Sequence, residues 1–87
     1  MTQDKAEKQL SIMSDLFGEL DRAEKQHPDW PSDTIHQVAI MCEESGEALR
    51  AALQYTYEGG DLEDVGKELI QTGAMVIRCL EHLWGNI

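Results

Sequence analysis

Basic residues are scarce in this chain of 87 residues, where 7 Lys and Arg stand against 17 Asp and Glu. The formal net charge is −10 with neutral His. This balance argues against a nucleic-acid duplex or an anionic membrane surface as partner, because both require a basic footprint. The chain also lacks a run of about 18 apolar residues, so we expect no transmembrane helix. The segment from Met1 to Leu10 carries charge throughout and does not resemble a signal peptide, which predicts a cytoplasmic protein.

Cysteine and proline are also rare. Cys42 and Cys79 have no metal-ligand spacing around them, so we predict buried thiols in a reducing compartment and no disulfide framework. The two prolines both lie in the segment 28–31, and a second break is Glu58-Gly59-Gly60-Asp61. These two points divide the chain into three segments, each with the 3.6-residue period of an amphipathic helix.

The three segments predict an all-α fold. The pattern indicates a single domain over residues 1–87, a bundle of three main helices that is completed by oligomerisation. The predicted helices run from Thr2 or Asp4 to Gln26, from Ser32 or Asp33 to about Tyr57, and from just after Asp61 to about Trp84. Ser32, Asp33 and Asp61 are good N-cap residues, and Gly85 is a stop signal.

Apolar residues cover more than one side of these helices. The main predicted faces are Leu10, Met13, Leu16, Phe17 and Leu20 in the first helix, Ile35, Val38, Cys42, Leu49 and Leu53 in the second, and Leu62, Val65, Leu69, Val76, Leu80 and Leu83 in the third. Thr72, Met75 and Cys79 form a weaker second face of the third helix. A helix that is apolar nearly all round is buried on several sides. In so short a chain this predicts a helical dimer or a higher oligomer.

Acidic residues are concentrated on the second helix in Glu43-Glu44-Ser45-Gly46-Glu47. Glu43, Glu44 and Glu47 share one side of the helix, where like charges are unfavourable. Glu44 also lies among apolar positions, where an unpaired carboxylate is costly. Glu68 is the matching residue on the third helix, and antiparallel packing would bring it to Glu44 and Glu47. Converging carboxylates suit Mg²⁺ or Mn²⁺, although a solvated acidic face is the alternative interpretation.

The run Glu43-Glu44-Ser45-Gly46-Glu47-Ala48, followed about twenty residues later by Lys67-Glu68, resembles the all-α nucleoside triphosphate pyrophosphatases of the MazG-like superfamily. That family carries an EExxE element and an ExxD element, which together hold Mg²⁺. The resemblance extends from about His27 to Leu83. It implies hydrolysis of a (deoxy)nucleoside triphosphate to the monophosphate and pyrophosphate, often on non-canonical or excess nucleotides, by a dimer or tetramer.

The resemblance also implies residue roles. Glu44, Glu47 and Glu68 match the family's metal ligands. Glu43 matches the leading Glu, which either is a ligand or orients a water, and Glu43 and Glu47 are the candidates for the catalytic carboxylates. The chain departs from the family where the Asp of ExxD is Gln71, whose amide carbonyl can still offer an oxygen to the metal but supplies no negative charge. Either Asp64 substitutes from the preceding turn, or metal affinity is lowered, or the activity has drifted.

Four further residues are candidates for substrate contacts. Lys67 and Arg78 are cations that could bind phosphate, or members of a solvated helix face. Trp30 lies between two prolines and could stack on a base, or it could cover the end of the bundle. His36 could approach the same pocket, or lie half-buried near the start of the second helix.

Two other functions fit the same residues. Gln71 and the net charge also fit a catalytically silent helical module that binds a nucleotide, a metal ion or a basic protein. The chain could also be a purely structural oligomerisation domain, in which Mg²⁺ would not change thermal stability.

Overall fold

A computed structural model describes residues 2–85 of the chain, and this part is all-helical. Helix α1 spans Thr2–Gln26, α2 spans Thr34–Tyr57 and α3 spans Leu62–Trp84. No strand occurs among these residues. The predicted all-α class is confirmed. The helices end at the residues that the apolar period and the turn residues predicted.

Aspartates begin the second and third helices. Asp33 has extended backbone, and its Oδ2 accepts a hydrogen bond from the backbone N–H of His36 at 2.9 Å. Asp61 does the same for α3, accepting from the N–H of Glu63 at 3.0 Å. Each carboxylate satisfies a backbone donor that has no partner within the helix, a contribution of about 1 kcal/mol. The predicted N-caps are therefore confirmed at both positions.

A tight turn over residues 58–61 reverses the chain between α2 and α3. The N–H groups of Glu58 and Gly60 both donate to the carbonyl of Gln54, at 2.8 and 2.9 Å. Gly59 has φ +72, a left-handed conformation that glycine adopts without a Cβ clash. The turn leaves the two helices antiparallel, so residues near the middle of α2 face residues near the start and middle of α3.

Helix α3 lies between the other two helices and packs against both of them. Within residues 2–85, no Cα atom of α1 comes within 8 Å of a Cα atom of α2. The core lies where α1 meets α3, and its buried members are Leu20, Ala23, Ala74 and Met75, with Trp30, Ile40, Met41 and Ile77 packed against them. A gap between α1 and α2 therefore remains on one side of α3.

Small residues allow the helices to approach α3 closely. Ala48 and Ala51 are the buried alanines of α2, and Ala74 of α3 is completely buried. A Cβ built on Gly73 would lie 2.5 Å from Leu16 Cδ2 of α1, so a larger residue there would require the Leu16 side chain to shift. A Cβ on Gly46 would meet no atom within 4 Å. Helix α1 therefore approaches α3 closely at Gly73, and no such contact occurs at Gly46.

The predicted apolar faces are largely exposed in the single chain, which corrects the prediction of which residues form the core. The exposed members include Leu10, Met13 and Phe17 of α1, Ile35, Val38, Leu49 and Leu53 of α2, and Leu62, Leu69, Val76 and Leu83 of α3. The weaker face of α3, with Met75 and Cys79, is the one that is buried. Cys42 was predicted to be buried, but it is exposed because it belongs to the exposed face of α2. Within the described part of the chain, none of the helices could span a membrane.

Candidate metal centre and adjoining clefts

Three carboxylates from two helices converge on one point. Glu44 and Glu47 are one turn apart on α2, and Glu68 reaches them from α3 because the two helices are antiparallel. One carboxylate oxygen from each residue lies within 4.8 Å of the other two. We call these three residues the carboxylate cluster. The sequence predicted this convergence, and the structure brings the three residues together.

Partial burial and mutual repulsion raise the pKa of two carboxylates of the cluster. Burial is the main cause at Glu44, and the charges of Glu47 and Glu68 raise its pKa further. Burial also raises the pKa of Glu68, and the charge of Glu47 adds to this effect. The protonated Glu68 can donate a hydrogen bond to Glu47, which raises the same pKa. Burial and the neighbouring carboxylates therefore both disfavour the ionised forms of Glu44 and Glu68.

Gln71 lies one turn after Glu68 and reaches the cluster. With its amide nitrogen facing the carboxylates, it donates to Glu68 Oε2 and to Glu44 Oε2, each at 3.2 Å. This orientation follows from the hydrogen bonds, because the opposite one would place the amide oxygen against two acceptors. Gln71 therefore links α2 to α3 as a neutral donor, at the position where the family resemblance would place an acidic metal ligand.

Helix α1 supplies two residues that sequence reasoning missed. The side chain of Glu19 is 17% exposed and pairs with Arg22, whose Nε donates to Glu19 Oε1 at 2.9 Å. Another nitrogen of Arg22 donates to Gln26 Oε1 at 2.5 Å. The charge of Glu19 contributes to raising the pKa of Glu44. The spacing of Glu19 and Arg22 predicts their pairing, but no pattern in the sequence shows that α1 faces the cluster.

The other acidic candidates lie at the margin of the carboxylate cluster. Glu43 is exposed, and its charge is a minor contribution to the raised pKa of Glu44. Asp64 is exposed, and its charge contributes to raising the pKa of Glu68. Neither residue has an oxygen in the group of converging ligand atoms.

A cleft of about 270 Å³ opens between α1 and α2 beside the cluster. We call it the α1–α2 cleft, and its lining includes Glu19, Arg22, Trp30, Ile40, Glu44, Gln71, Met75 and Arg78. It combines apolar side chains with one member of the carboxylate cluster. Such a mixture of apolar walls and a few polar groups is typical of small-molecule sites.

Trp30 and Arg78 hold one end of the α1–α2 cleft. Arg78 is 3% exposed, donates to the carbonyl of His27 at 2.7 Å, and lies over the Trp30 ring at 4.4 Å from its centre. The ring of His82 is 5.7 Å from that of Trp30. The interpretation that Arg78 belongs to a solvated helix face is therefore wrong. Arg78 anchors the loop between α1 and α2 to α3, and one face of Trp30 is covered by it.

His36 does not line the α1–α2 cleft. It is exposed in the first turn of α2, and its Nδ1 is 3.9 Å from Asp33 Oδ1. This corrects the prediction of a half-buried or pocket-facing histidine. The N-cap position of Asp33 places His36 on the outer side of the helix.

A second cleft, of about 400 Å³, lies on the other side of the cluster between α2 and α3. We call it the α2–α3 cleft, and it is lined by Glu47, Arg50, Ala51, Gln54, Asp64, Lys67, Glu68 and Gln71. Gln71 lines both clefts, so they meet at the carboxylate cluster. The structure thus places Lys67 beside the cluster, together with Arg50.

The comparisons with known proteins add no relative. No family model matches the chain, and neither the curated proteins nor the solved structures that were compared with it give a match. The geometry of the cluster and of its two clefts is therefore the basis for inferring a function.

Proposed function

We propose that this protein is a MazG-like nucleotide pyrophosphohydrolase that depends on a divalent cation. Its substrate would be a (deoxy)nucleoside triphosphate, including non-canonical or excess nucleotides, and its products the monophosphate and pyrophosphate. The observation that carries this proposal is the convergence of Glu44, Glu47 and Glu68 within 4.8 Å at the junction of two clefts. A purely solvated acidic face would spread these charges apart.

The donor set fits Mg²⁺ or Mn²⁺. All three converging groups are carboxylates, the hard oxygen ligands that these ions prefer. Burial first, and then mutual repulsion, raises the pKa values of Glu44 and Glu68, and a bound cation would offset the repulsion. When bound, such an ion would neutralise phosphate charge and lower the pKa of a coordinated water. Glu44, Glu47 and Glu68 would hold it.

The chain's own residues would position water and substrate. Glu47 is exposed and lines the α2–α3 cleft, so its carboxylate is open to water and can act as the general base. Glu43, on the same side of α2, is the second candidate for orienting that water. The α1–α2 cleft offers Ile40, Met75 and Trp30 to the nucleoside.

We further propose that the protein works in the cytoplasm as a homodimer or homotetramer. Large apolar side chains are exposed on all three helices, including Phe17, which is 51% exposed, and Leu49, which is 62% exposed. A single domain rarely leaves so much apolar surface in water. A second copy of the chain would bury it and complete the bundle.

The experiment is to incubate the purified protein with a panel of nucleoside and deoxynucleoside triphosphates and Mg²⁺. We expect the monophosphate and pyrophosphate as products from at least one substrate. Glu47→Gln should abolish turnover and remain folded, because residue 47 is exposed. The proposal fails if no triphosphate is hydrolysed faster by the wild type than by the variant.

Gln71 favours a second candidate function, that of a silent module that binds nucleotide or metal. It places a neutral amide donor against Glu44 and Glu68, where an acidic residue would add a second negative charge from α3 and a fourth to the cluster. Calorimetry distinguishes the two functions. Nucleotide binding with Mg²⁺ but without product formation would favour the silent module.

A further inference from the structure

Two cations stand beside the carboxylate cluster without an ion pair. Arg50 of α2 and Lys67 of α3 both line the α2–α3 cleft, together with Glu47 and Glu68. Within residues 2–85, neither cation has a carboxylate oxygen within the 4.0 Å of a salt bridge. The charge of Lys67 nevertheless acts on Glu68, so the two side chains are near each other.

The α1–α2 cleft also contains a cation, but this one is already paired. Arg22 of the α1–α2 cleft is held by Glu19 on one side and by Gln26 on the other. Its positive charge is therefore already matched by a carboxylate. The α2–α3 cleft offers unmatched cations, whereas the α1–α2 cleft offers apolar walls, including Ile40 and Met75.

A triphosphate needs these cations. Three carboxylates against one divalent ion leave a negative charge at the cluster, which would repel phosphate oxygens. Lys and Arg side chains on the far side of the ion would offset this repulsion and bind the oxygens directly. Arg50 and Lys67 come from opposite walls of the cleft, so a group lying in it can contact both.

We propose that the α2–α3 cleft binds the two distal phosphates of the substrate through Arg50 and Lys67, while the nucleoside occupies the α1–α2 cleft. The scissile anhydride would then lie over the carboxylate cluster, where the clefts meet, and pyrophosphate would leave through the α2–α3 cleft. This inference rests on the proposed function, and it defines the direction in which the substrate lies.

The test measures binding of inorganic pyrophosphate in the presence of Mg²⁺, by calorimetry, and does not require hydrolysis. Arg50→Gln and Lys67→Gln should each weaken binding about tenfold, because each removes charge-assisted hydrogen bonds to phosphate. Arg50→Lys should recover part of the loss. The matched control is Lys25→Gln, which removes the same charge from an exposed pair with Asp21 outside both clefts.

Steady-state kinetics supply a second readout. With a triphosphate substrate, Arg50→Gln should raise KM, and the change should exceed that of Lys25→Gln. If the wild type binds pyrophosphate and the two cleft variants lose it, the inference stands even when no triphosphate is hydrolysed, and only the proposed enzyme fails. Equal binding by all variants overturns the inference. A loss caused by Arg22→Gln instead of Arg50→Gln also overturns it, because the phosphates would then lie in the α1–α2 cleft.

Discussion

Replacing Glu44 by glutamine tests the candidate metal centre most directly. The change keeps the shape of the side chain and removes one of three negative charges that lie within 4.8 Å of one another. At this distance a pair of like charges costs about 1 kcal/mol in water and about 3 kcal/mol at an effective dielectric constant of 20. Glu44 forms two such pairs and is only half-buried, so the lower figure applies to each pair, and after solvent screening the change relieves about 1–2 kcal/mol in total. In metal-free buffer at pH 7.5 we expect the variant to melt about 4–16 °C above the wild type.

With Mg²⁺ present, the wild type should melt above the Glu44→Gln variant. An ion that binds only the folded state stabilises it by about 2.7 kcal/mol at one hundred times its Kd, which corresponds to roughly 10–20 °C in Tm. Glu44→Gln should lose most of this shift, since one of three ligands is gone. Glu81→Gln is the matched control, because Glu81 is exposed on α3 outside the cluster. This substitution should change the melting temperature by no more than about 2 °C, both with and without Mg²⁺. If Mg²⁺ does not change the Tm of the wild type, the metal centre is refuted and a purely structural domain is favoured.

The same experiment has a defined pH dependence. The folded-state pKa values of Glu44 and Glu68 are raised above their ordinary value of 4.5. The folded protein therefore binds protons more tightly than the unfolded chain does, and this favours the folded state at low pH. The contribution is fully present below about pH 4.5 and is lost as the pH rises through the raised values. In metal-free buffer, the Glu44→Gln variant should lose less stability than the wild type as the pH rises. Thermal melts from pH 4 to 7.5 measure this difference.

Three further changes test the packing and the site. Gly46→Ala should stabilise the fold by about 0.5–1 kcal/mol in a denaturant titration, because the new methyl group meets no atom, whereas Gly73→Ala should gain less, because the Leu16 side chain must shift to admit the methyl group. Gln71→Asp should bind Mn²⁺ at least tenfold more tightly than the wild type in calorimetry, since it adds a carboxylate; equal affinity would show that residue 71 lies outside the coordination sphere. Arg78→Met should cost about 2–3 kcal/mol, because it removes the charged hydrogen bond to the loop before α2 and leaves that carbonyl unpaired; an unchanged unfolding free energy would contradict this role.

The three helices and their ends could be predicted because their causes are local. The apolar period, the capping aspartates at residues 33 and 61, and the glycine turn at 59–60 each act within a few residues of the chain. The approach of Glu68 to Glu44 and Glu47 was also predictable. The connection over residues 58–61 is too short for anything other than antiparallel neighbours.

Which apolar face is buried could not be predicted. The period shows that Ile35, Leu49 and Leu69 share faces with other apolar residues, but it does not show which neighbour covers them. In the single chain, α3 uses the narrow face around Ala74 and Met75, because small residues let helices pack closely. The wider apolar faces remain exposed, and Cys42 with them.

Local patterns along the chain are enough to predict the three helices, their caps, the acidic run on the second helix and its acidic counterpart on the third. These features follow from hydrogen bonding and periodicity over short stretches of chain. Long-range packing, in contrast, turns Glu19 and Arg22 of α1 toward the cluster, buries Arg78 against Trp30 and lets Gln71 bridge two carboxylates. Those placements depend on how α1 crosses α3, which is set by packing between residues distant in the sequence.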